Sequence, residues 1–85
     1  MKVRMYTVST DPLSQRTKKF FQEKNIPFEY VDYDLASEPE QERIGNELIK
    51  YTGSISFPFV DIDGNVVIGY NPERYEELIK QKQVA

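Results

Sequence analysis

The chain has 85 residues, of which 39% are hydrophobic and 29% are charged, and its formal net charge is −3. Globular domains run from roughly 50 to 250 residues, so this length predicts a single domain over residues 1–85. The absence of cysteine and histidine excludes disulfides, thiolate nucleophiles, an imidazole base, and zinc or haem sites of the usual kind.

A first strand is predicted from Lys2 to Val8, where apolar and polar side chains alternate. Val3 and Met5 fall on one face of this strand, and Arg4 and Tyr6 fall on the other. Because both faces carry bulky side chains, we expect the strand to be covered on both sides.

A first helix is predicted to begin at Asp11-Pro12, because aspartate caps helix N-termini and proline fits the first helical position. Asn25 is the predicted stop, and Pro27 prevents the helix from continuing. The apolar residues at helical spacing, which we expect to be buried, are Leu13, Phe20 and Phe21.

A second strand is predicted from Phe28 to Asp34, where aromatic and β-branched residues alternate with polar ones. Ser37 and Glu40 have the spacing of a capping box that starts a second helix, and Gly53 is its expected end. The residues predicted to carry this helix are Ile44, Leu48, Ile49, Tyr51 and Thr52. The glutamates predicted to form its solvated outer face are Glu38, Glu40, Glu42 and Glu47.

A hairpin is predicted in the second half of the chain, with strands from Phe57 to Ile62 and from Asn65 to Tyr70. Asp63-Gly64 lies between them and is typical of a two-residue type I′ turn, which needs positive φ at both positions. These two strands are therefore expected to be antiparallel neighbours.

The last helix is predicted to begin at Asn71-Pro72, again a cap followed by proline. Tyr70 and Tyr75 have the spacing of a hydrophobic staple across its start. The remaining expectations are that Leu78 and Ile79 are buried, that Glu76 pairs with Lys80, and that the tail from Gln81 to Ala85 frays.

The predicted order of elements is β-α-β-α-β-β-α, which indicates an α/β fold. The first two strands and their intervening helix require a parallel pair with a right-handed crossover. The hairpin adds two antiparallel strands, so we expect a mixed sheet with helices on both faces.

The acidic balance of charge disfavours nucleic acid as a partner, because a negative surface repels phosphate backbones. No apolar run approaches the roughly 20 residues that span a bilayer, and the N-terminal segment is too short and polar for a signal peptide. We therefore expect a mature, monomeric, cytoplasmic protein that binds neither nucleic acid nor membranes.

Four segments of the chain carry a resemblance to a known family. They are Val3-Arg4-Met5-Tyr6-Thr7 leading into Ser9-Thr10, Asn25-Ile26-Pro27-Phe28-Glu29-Tyr30, Ser56-Phe57-Pro58-Phe59-Val60, and Ile62-Asp63-Gly64 followed by Ile68-Gly69-Tyr70-Asn71-Pro72-Glu73. In this order and at these distances, they resemble a glutaredoxin of the thioredoxin superfamily from Lys2 to about Lys80. The resemblance implies a thioredoxin-like fold with three helices, two of them on one face of a four-stranded sheet of order 2-1-3-4. It also implies that the bond before Pro58 is cis.

The chain departs from the family at the centre of the site. Where the family reads Cys-Pro-x-Cys, this sequence reads Asp11-Pro12-Leu13-Ser14. Disulfide exchange requires a thiolate that attacks sulfur, and neither a carboxylate nor a hydroxyl replaces it. No catalytic residue is therefore expected, and the chain is interpreted as redox-inactive.

Two positions of this site have alternative interpretations. Asp11 is either a plain helix N-cap or a fixed negative charge presented to a partner, since no second carboxylate, base or metal ligand is evident beside it for catalysis. Pro58 is either retained because the turn packs around it or, as in the family, lies next to a backbone edge at Phe57 that pairs with an extended peptide or with glutathione.

Glutathione is the less favoured ligand, and no cofactor is expected. Family members that use it typically carry Gly-Gly-x-Asp-Asp near the last helix, whereas this chain has Ile68-Gly69-Tyr70-Asn71-Pro72. The family's lysine after the second cysteine corresponds to Gln15, although Arg16 is adjacent.

The predicted function is a redox-inactive, glutaredoxin-like module that binds an unidentified protein or extended peptide. The predicted binding face consists of Asp11, Pro12, Leu13, Ser14, Phe57, Pro58, Gly69 and Tyr70, and Leu13, Phe57 and Tyr70 are expected to form an exposed apolar patch within it. One alternative is a thiol–disulfide oxidoreductase of cell redox homeostasis whose two cysteines have been replaced. Another is glutathione transfer, which needs a second helical domain that 85 residues do not accommodate.

Overall fold

A computed structural model describes residues 1–83 and has the predicted order of strands and α-helices. Its strands are β1 (Val3–Thr7), β2 (Glu29–Asp32), β3 (Phe59–Ile62) and β4 (Asn65–Ile68). Its α-helices are α1 (Pro12–Glu23), α2 (Glu38–Thr52) and α3 (Pro72–Gln83), and a short 3₁₀ helix at Tyr33–Leu35 joins β2 to α2. Within the described residues, every helix is too short or too polar to cross a membrane.

The strands form one mixed sheet in the order β2-β1-β3-β4, which confirms the predicted topology. β1 runs parallel to β2 with Tyr6 opposite Val31, and antiparallel to β3 with Tyr6 opposite Phe59. β3 and β4 are antiparallel, with Phe59 opposite Ile68. Their turn at Asp63-Gly64 has φ values of 50° and 90°, as the predicted type I′ turn requires.

The sheet separates two apolar clusters. α1 and α3 cover one face, where the buried residues are Val3, Met5, Phe21, Val60, Ile62, Val67, Tyr75, Leu78 and Ile79. α2 covers the other face, over a smaller cluster of Tyr6, Ile44, Leu48 and Phe59. Burying one such large apolar side chain stabilises the fold by roughly 1.5–3 kcal/mol, so the α1–α3 side supplies most of the core. The expected division of the helices, two on one face and one on the other, is confirmed.

Each strand is shorter than predicted. β2 ends early because the chain enters the 3₁₀ helix at Tyr33–Leu35. β3 begins two residues later than predicted, after Pro58, which has no N–H to donate to a ladder. β4 ends two residues early because Gly69 has a φ of 86°, outside the range of a strand.

α1 buries a different stripe from the predicted one. Leu13 is 41% exposed and Phe20 is half-buried, whereas Ser14 and Thr17 are fully buried beside Phe21. Polar residues are tolerated there because their hydroxyls are hydrogen-bonded, and Thr17 Oγ1 donates to the Leu13 carbonyl at 2.9 Å. The prediction that Leu13 is buried is therefore wrong, because Ser14 and Thr17 take the buried side of the helix instead.

The faces of α2 differ from the prediction at one glutamate. Ile49 and Tyr51, two of the residues that predicted this helix, lie within it and are 49% and 61% exposed. Glu47 was assigned to the solvated face, but its carboxylate accepts a hydrogen bond from the Tyr6 hydroxyl of β1. The orientation of α2 over the sheet, which the helix sequence does not specify, decides both outcomes.

An ion pair predicted within α3 is found instead between α3 and the end of α1. Glu76 pairs with Lys24 across the two helices at 2.8 Å, and not with Lys80 as predicted. The predicted staple is confirmed, since the rings of Tyr70 and Tyr75 meet edge to face with centroids 6.3 Å apart. The predicted fraying from Gln81 is wrong as far as Gln83, where α3 ends, and the rest of that prediction lies outside the described residues.

Candidate functional site

Asp11 stands where the chain turns from β1 into α1. Its backbone is extended, with φ −80° and ψ 122°, and its carboxylate accepts hydrogen bonds from the N–H groups of Leu13 at 3.4 Å and Ser14 at 3.2 Å. Pro12 follows as the first helical residue, where no N–H is needed. Asp11 is therefore the N-cap of α1, as one of the two interpretations of this residue predicted.

Ser14 is fully buried and is held from two sides. Its Oγ donates to Asp11 Oδ2 at 3.0 Å and accepts from the Val8 N–H at 3.1 Å, so it joins the end of β1 to the start of α1. A buried hydroxyl that is already engaged in this way is not placed to attack a substrate. Asp11 Oδ1, by contrast, makes only the long contact with Leu13 among the described residues and keeps capacity to accept another donor.

The turn before β3 contains a cis bond between Phe57 and Pro58. Pro58 is fully buried, and its carbonyl accepts a hydrogen bond from the Gly69 N–H at 2.8 Å. Within the described residues, the backbone N–H and carbonyl of Phe57 form no hydrogen bond with other backbone groups or with side chains. The Phe57 ring is half-buried and packs on Tyr33, with ring centroids 5.1 Å apart.

A hydrogen-bonded chain connects this turn to both helices on the larger core. The Gly69 carbonyl accepts from the Tyr75 hydroxyl at 2.5 Å, and that hydroxyl lies 3.4 Å from Thr17 Oγ1 of α1. Burial raises the pKa of Tyr75, so its hydroxyl stays protonated and available to donate near neutral pH. The start of α1, the end of β4 and the turn at Pro58 are thus held by one network.

The sheet topology brings the predicted binding residues to one edge. The residues at 11–14 follow β1, those at 57–58 precede β3, and those at 69–70 follow β4. Because β3 is antiparallel to both β1 and β4, these three segments lie at the same end of the sheet. We refer to this end, formed by residues 11–14, 57–58 and 69–70, as the α1 edge.

The side chains at the α1 edge differ in their exposure. Ser14 and Pro58 are fully buried, and Leu13 is 41% exposed. Phe57 and Tyr70 are half-buried and pack against opposite faces of the sheet, Phe57 on the α2 side and Tyr70 on the α1–α3 side. Leu13, Phe57 and Tyr70 were expected to form one exposed apolar patch. Leu13 is the most exposed of the three, and Phe57 and Tyr70 are each partly covered.

Sequence reasoning missed a polar cluster beneath the loop that follows β1. Ser9 donates to Asp34 from both its N–H, at 2.8 Å, and its hydroxyl, and these bonds lower the pKa of the Asp34 carboxyl. Asp32 Oδ1 accepts from the Thr7 hydroxyl at 2.7 Å and from the Lys18 ammonium at 2.8 Å. The partners lie up to 25 residues apart, so no local spacing in the sequence indicates them.

The α1 edge offers hydrogen-bond donors and acceptors and has neither of the sulfurs that the family motif carries. The chain has no thiol, and the hydroxyl and carboxylate at the two former cysteine positions bond to each other. Among residues 1–83, no cluster of three or more histidine, cysteine or carboxylate side chains is arranged to hold a metal ion.

Comparison with known proteins gives a consistent result. A family model described as glutaredoxin matches residues 3–67. An uncharacterised glutaredoxin-like 8.6 kDa protein of the rubredoxin operon of Clostridium pasteurianum is 30% identical over 79 residues, which cover 93% of this chain and 99% of the relative. Among solved structures, a glutaredoxin from Archaeoglobus fulgidus matches with a TM-score of 0.85 at 33% identity, covering 93% of this chain and 86% of that one. The methanoredoxin of Methanosarcina acetivorans matches with a TM-score of 0.84 at 28% identity, covering 91% of this chain and 82% of that one.

Proposed function

This chain belongs to the glutaredoxin family, and we propose that it is a redox-inactive member that binds an extended segment of a partner protein at the α1 edge. The chain has no cysteine, and disulfide exchange requires a thiolate. The proposal keeps the fold and the location of the family's site and replaces the reaction with binding.

The backbone of Phe57 is the observation that carries this proposal. Its N–H and carbonyl have no partner among the described residues, and the buried Pro58 beside it fixes their position. An unpaired backbone N–H and carbonyl bind a peptide through main-chain hydrogen bonds, which supply affinity. Phe57 therefore provides the anchor for an extended peptide.

Two side chains at the same edge favour particular neighbours in that peptide. Leu13 is 41% exposed at the start of α1 and favours an apolar contact. Asp11 Oδ1 has spare acceptor capacity and favours an N–H or ammonium donor. The proposed ligand is thus an extended peptide in which an apolar side chain and a basic one lie close together.

Glutathione is not the proposed ligand. At the start of α3, Asn71 Oδ1 accepts the Arg74 N–H at 3.1 Å and so caps the helix. This arrangement supplies no acidic pair of the kind that the family resemblance associates with glutathione. The peptide proposal uses Phe57, Leu13 and Asp11 and does not depend on that region.

The proposal is tested by following the amide spectrum of the ¹⁵N-labelled protein during titration with two probes. One probe is a blocked octapeptide of alternating valine and lysine, and the other is reduced glutathione. We expect the peptide to shift the amides of Phe57, Leu13 and Gly69, and glutathione to shift none of them. If the peptide shifts none of them at millimolar concentration, or if glutathione shifts them, the proposed binding is wrong.

A matched pair of variants distinguishes specific binding at the α1 edge from nonspecific binding to exposed apolar side chains. Leu13→Ala removes an apolar side chain that is 41% exposed at the edge, and Ile49→Ala removes one that is 49% exposed on α2. We expect Leu13→Ala to weaken peptide binding and Ile49→Ala to leave it unchanged. Equal losses in both variants would contradict a specific site at the α1 edge.

A further inference from the structure

A cavity opens between α2 and the sheet, on the face opposite the larger core and apart from the α1 edge. Its volume is about 180 Å³. Its lining includes the charged side chains of Arg4, Glu29, Arg43 and Asp61 and the apolar surfaces of Tyr6, Val31 and Phe59. An apolar cavity of about 150 Å³ accommodates benzene, so this one has room for a molecule with a single ring or a branched chain of similar size.

The back of the cavity is apolar and already formed. Strand register places Tyr6 between Val31 and Phe59 across three strands, and the rings of Tyr6 and Phe59 have centroids 5.6 Å apart. The Tyr6 hydroxyl is fixed on Glu47, so the ring needs no rearrangement to receive a ligand. This surface suits an apolar group.

Two guanidinium groups at the cavity have donors to spare. Among residues 1–83, the Arg4 guanidinium donates to Asp61 at 3.2 Å and the Arg43 guanidinium donates to Glu40 at 3.5 Å. A guanidinium carries five N–H donors, so most of the donors on Arg4 and Arg43 are left for a ligand. Their side chains are 45% and 60% exposed, which leaves them accessible from solvent.

Two of the carboxylates near the cavity, Asp61 and Glu47, already accept hydrogen bonds. Asp61 accepts from Arg4 through Oδ2 and from the Gly64 N–H through Oδ1 at 2.7 Å. Glu47 accepts from the Tyr6 hydroxyl. Glu29 also lines the cavity and its carboxylate accepts no hydrogen bond from the described residues, so Arg4 stands between two carboxylates. Arg43 differs, because its partner Glu40 lies outside the lining, and it is this guanidinium that favours an anion.

We propose that this cavity binds a small organic monocarboxylate whose carboxylate pairs with Arg4 and Arg43. The apolar part of the ligand, a single ring or a branched chain, lies against Tyr6, Val31 and Phe59. Planar guanidinium groups match a carboxylate with paired hydrogen bonds, which gives the site its preference for this group.

The surrounding charge limits the ligand to one negative charge. Glu29 lies opposite Arg4 in the parallel register, and Asp61 lies opposite it on the other side. With the chain's net charge of −3, these two carboxylates repel a dianion more strongly than a monoanion. The site is therefore expected to prefer a carboxylate over a phosphate ester of the same size.

Three probes of one shape test the charge preference in amide spectra of the labelled protein. They are benzoate, neutral benzamide and cationic benzylamine. We expect benzoate to shift the amides of Arg4, Val31 and Phe59 and to bind more weakly as salt is added, because exposed charges are screened. Benzamide should bind roughly tenfold more weakly, the change expected for one charge-assisted hydrogen bond. Absence of benzoate shifts at millimolar concentration, or benzylamine binding as tightly as benzoate, would overturn the proposal.

Arginine variants test whether Arg4 and Arg43 bind the carboxylate of the ligand. Arg43→Gln and Arg4→Gln should each weaken benzoate binding roughly tenfold. Arg74→Gln is the matched control, because Arg74 is also 45% exposed and also makes one side-chain bond, to Glu77, but lies on α3. We expect this control to bind benzoate as the unmodified protein does. Unchanged binding in Arg43→Gln, or an equal loss in Arg74→Gln, would contradict the assignment.

Discussion

Asp11 keeps a negative charge at the N-terminus of α1, where the family resemblance places a thiolate. Free N–H groups and the helix dipole stabilise an anion at such a position, so a carboxylate meets the same physical demand as the sulfur. Ser14, at the position of the second cysteine of the family motif, links Asp11 to the Val8 N–H at the end of β1 through its hydroxyl. The two positions that carry cysteine in the family motif are therefore joined to each other and to β1 in this chain.

Replacing Asp11 distinguishes its capping role from its charge. Asp11→Ala should lower the free energy of unfolding by about 1 kcal/mol, or roughly 4–8 °C in melting temperature for a domain of this size. Asp11→Asn should be nearly neutral, because asparagine caps equally well. Thermal denaturation measures both, and a loss in Asp11→Asn as large as in Asp11→Ala would contradict the capping account.

Removing the Ser14 hydroxyl should cost more than removing an exposed one. Ser14→Ala leaves the Val8 N–H without its acceptor in a buried setting, which costs about 1–3 kcal/mol. Thr10→Ala is the control, since Thr10 is exposed and surface changes of this kind fall within about 0.5 kcal/mol. Chemical denaturation measures both, and equal effects would show that the Ser14 bonds contribute little.

For the helices and strands, the caps and turns were predictable from the sequence, whereas the buried side of each helix was not. Caps and turns depend on neighbouring residues, so Asp11 as a cap and Asp63-Gly64 as a type I′ turn were predicted and observed. Which side of a helix is buried depends on how the helix lies on the sheet. For this reason Leu13 was predicted to be buried and Glu47 to be solvated, and both predictions are wrong. Contacts between distant segments, such as Ser9 with Asp34, leave no periodic signal.

The loop after β1 should loosen in acid because of Asp34. The Ser9 hydroxyl and N–H lower the pKa of Asp34 from its ordinary value of 3.8. A carboxyl with a lowered folded pKa stabilises the fold above its unfolded pKa, and this contribution is lost as pH falls through the folded value. We therefore expect stability to decline below about pH 4–5 and the decline to be shallower in Asp34→Asn. Melting temperature against pH measures both, and identical profiles would contradict the prediction.

Restoring both sulfurs tests whether α1 begins where the family's reactive helix begins. In the double variant Asp11→Cys with Ser14→Cys, the two thiols lie one helical turn apart at an N-terminus. We expect them to form an intramolecular disulfide and the first thiol to titrate below the free value of about 8.5. Thiol titration and mass measurement report both, and an ordinary pKa with no disulfide would mean that Asp11 does not occupy the nucleophile's position.

At the scale of the whole molecule, the sheet order places two candidate sites apart. The antiparallel pairing of β3 with β1 and β4 gathers three loops at the α1 edge. The cavity with Arg4 and Arg43 lies instead under α2, on the smaller of the two apolar clusters. The topology followed from the order of elements and the family resemblance, whereas the cavity follows from how α2 lies across the strands and was not predicted.

A disulfide reductase assay asks whether this glutaredoxin-family chain performs the family's reaction without cysteine. With insulin or a small mixed disulfide as substrate, we expect the purified protein to give no turnover above a protein-free blank, because it contains no thiol to attack sulfur. The double variant Asp11→Cys with Ser14→Cys, assayed in parallel, should give measurable turnover. Turnover by the unmodified protein would contradict the proposal that it is redox-inactive.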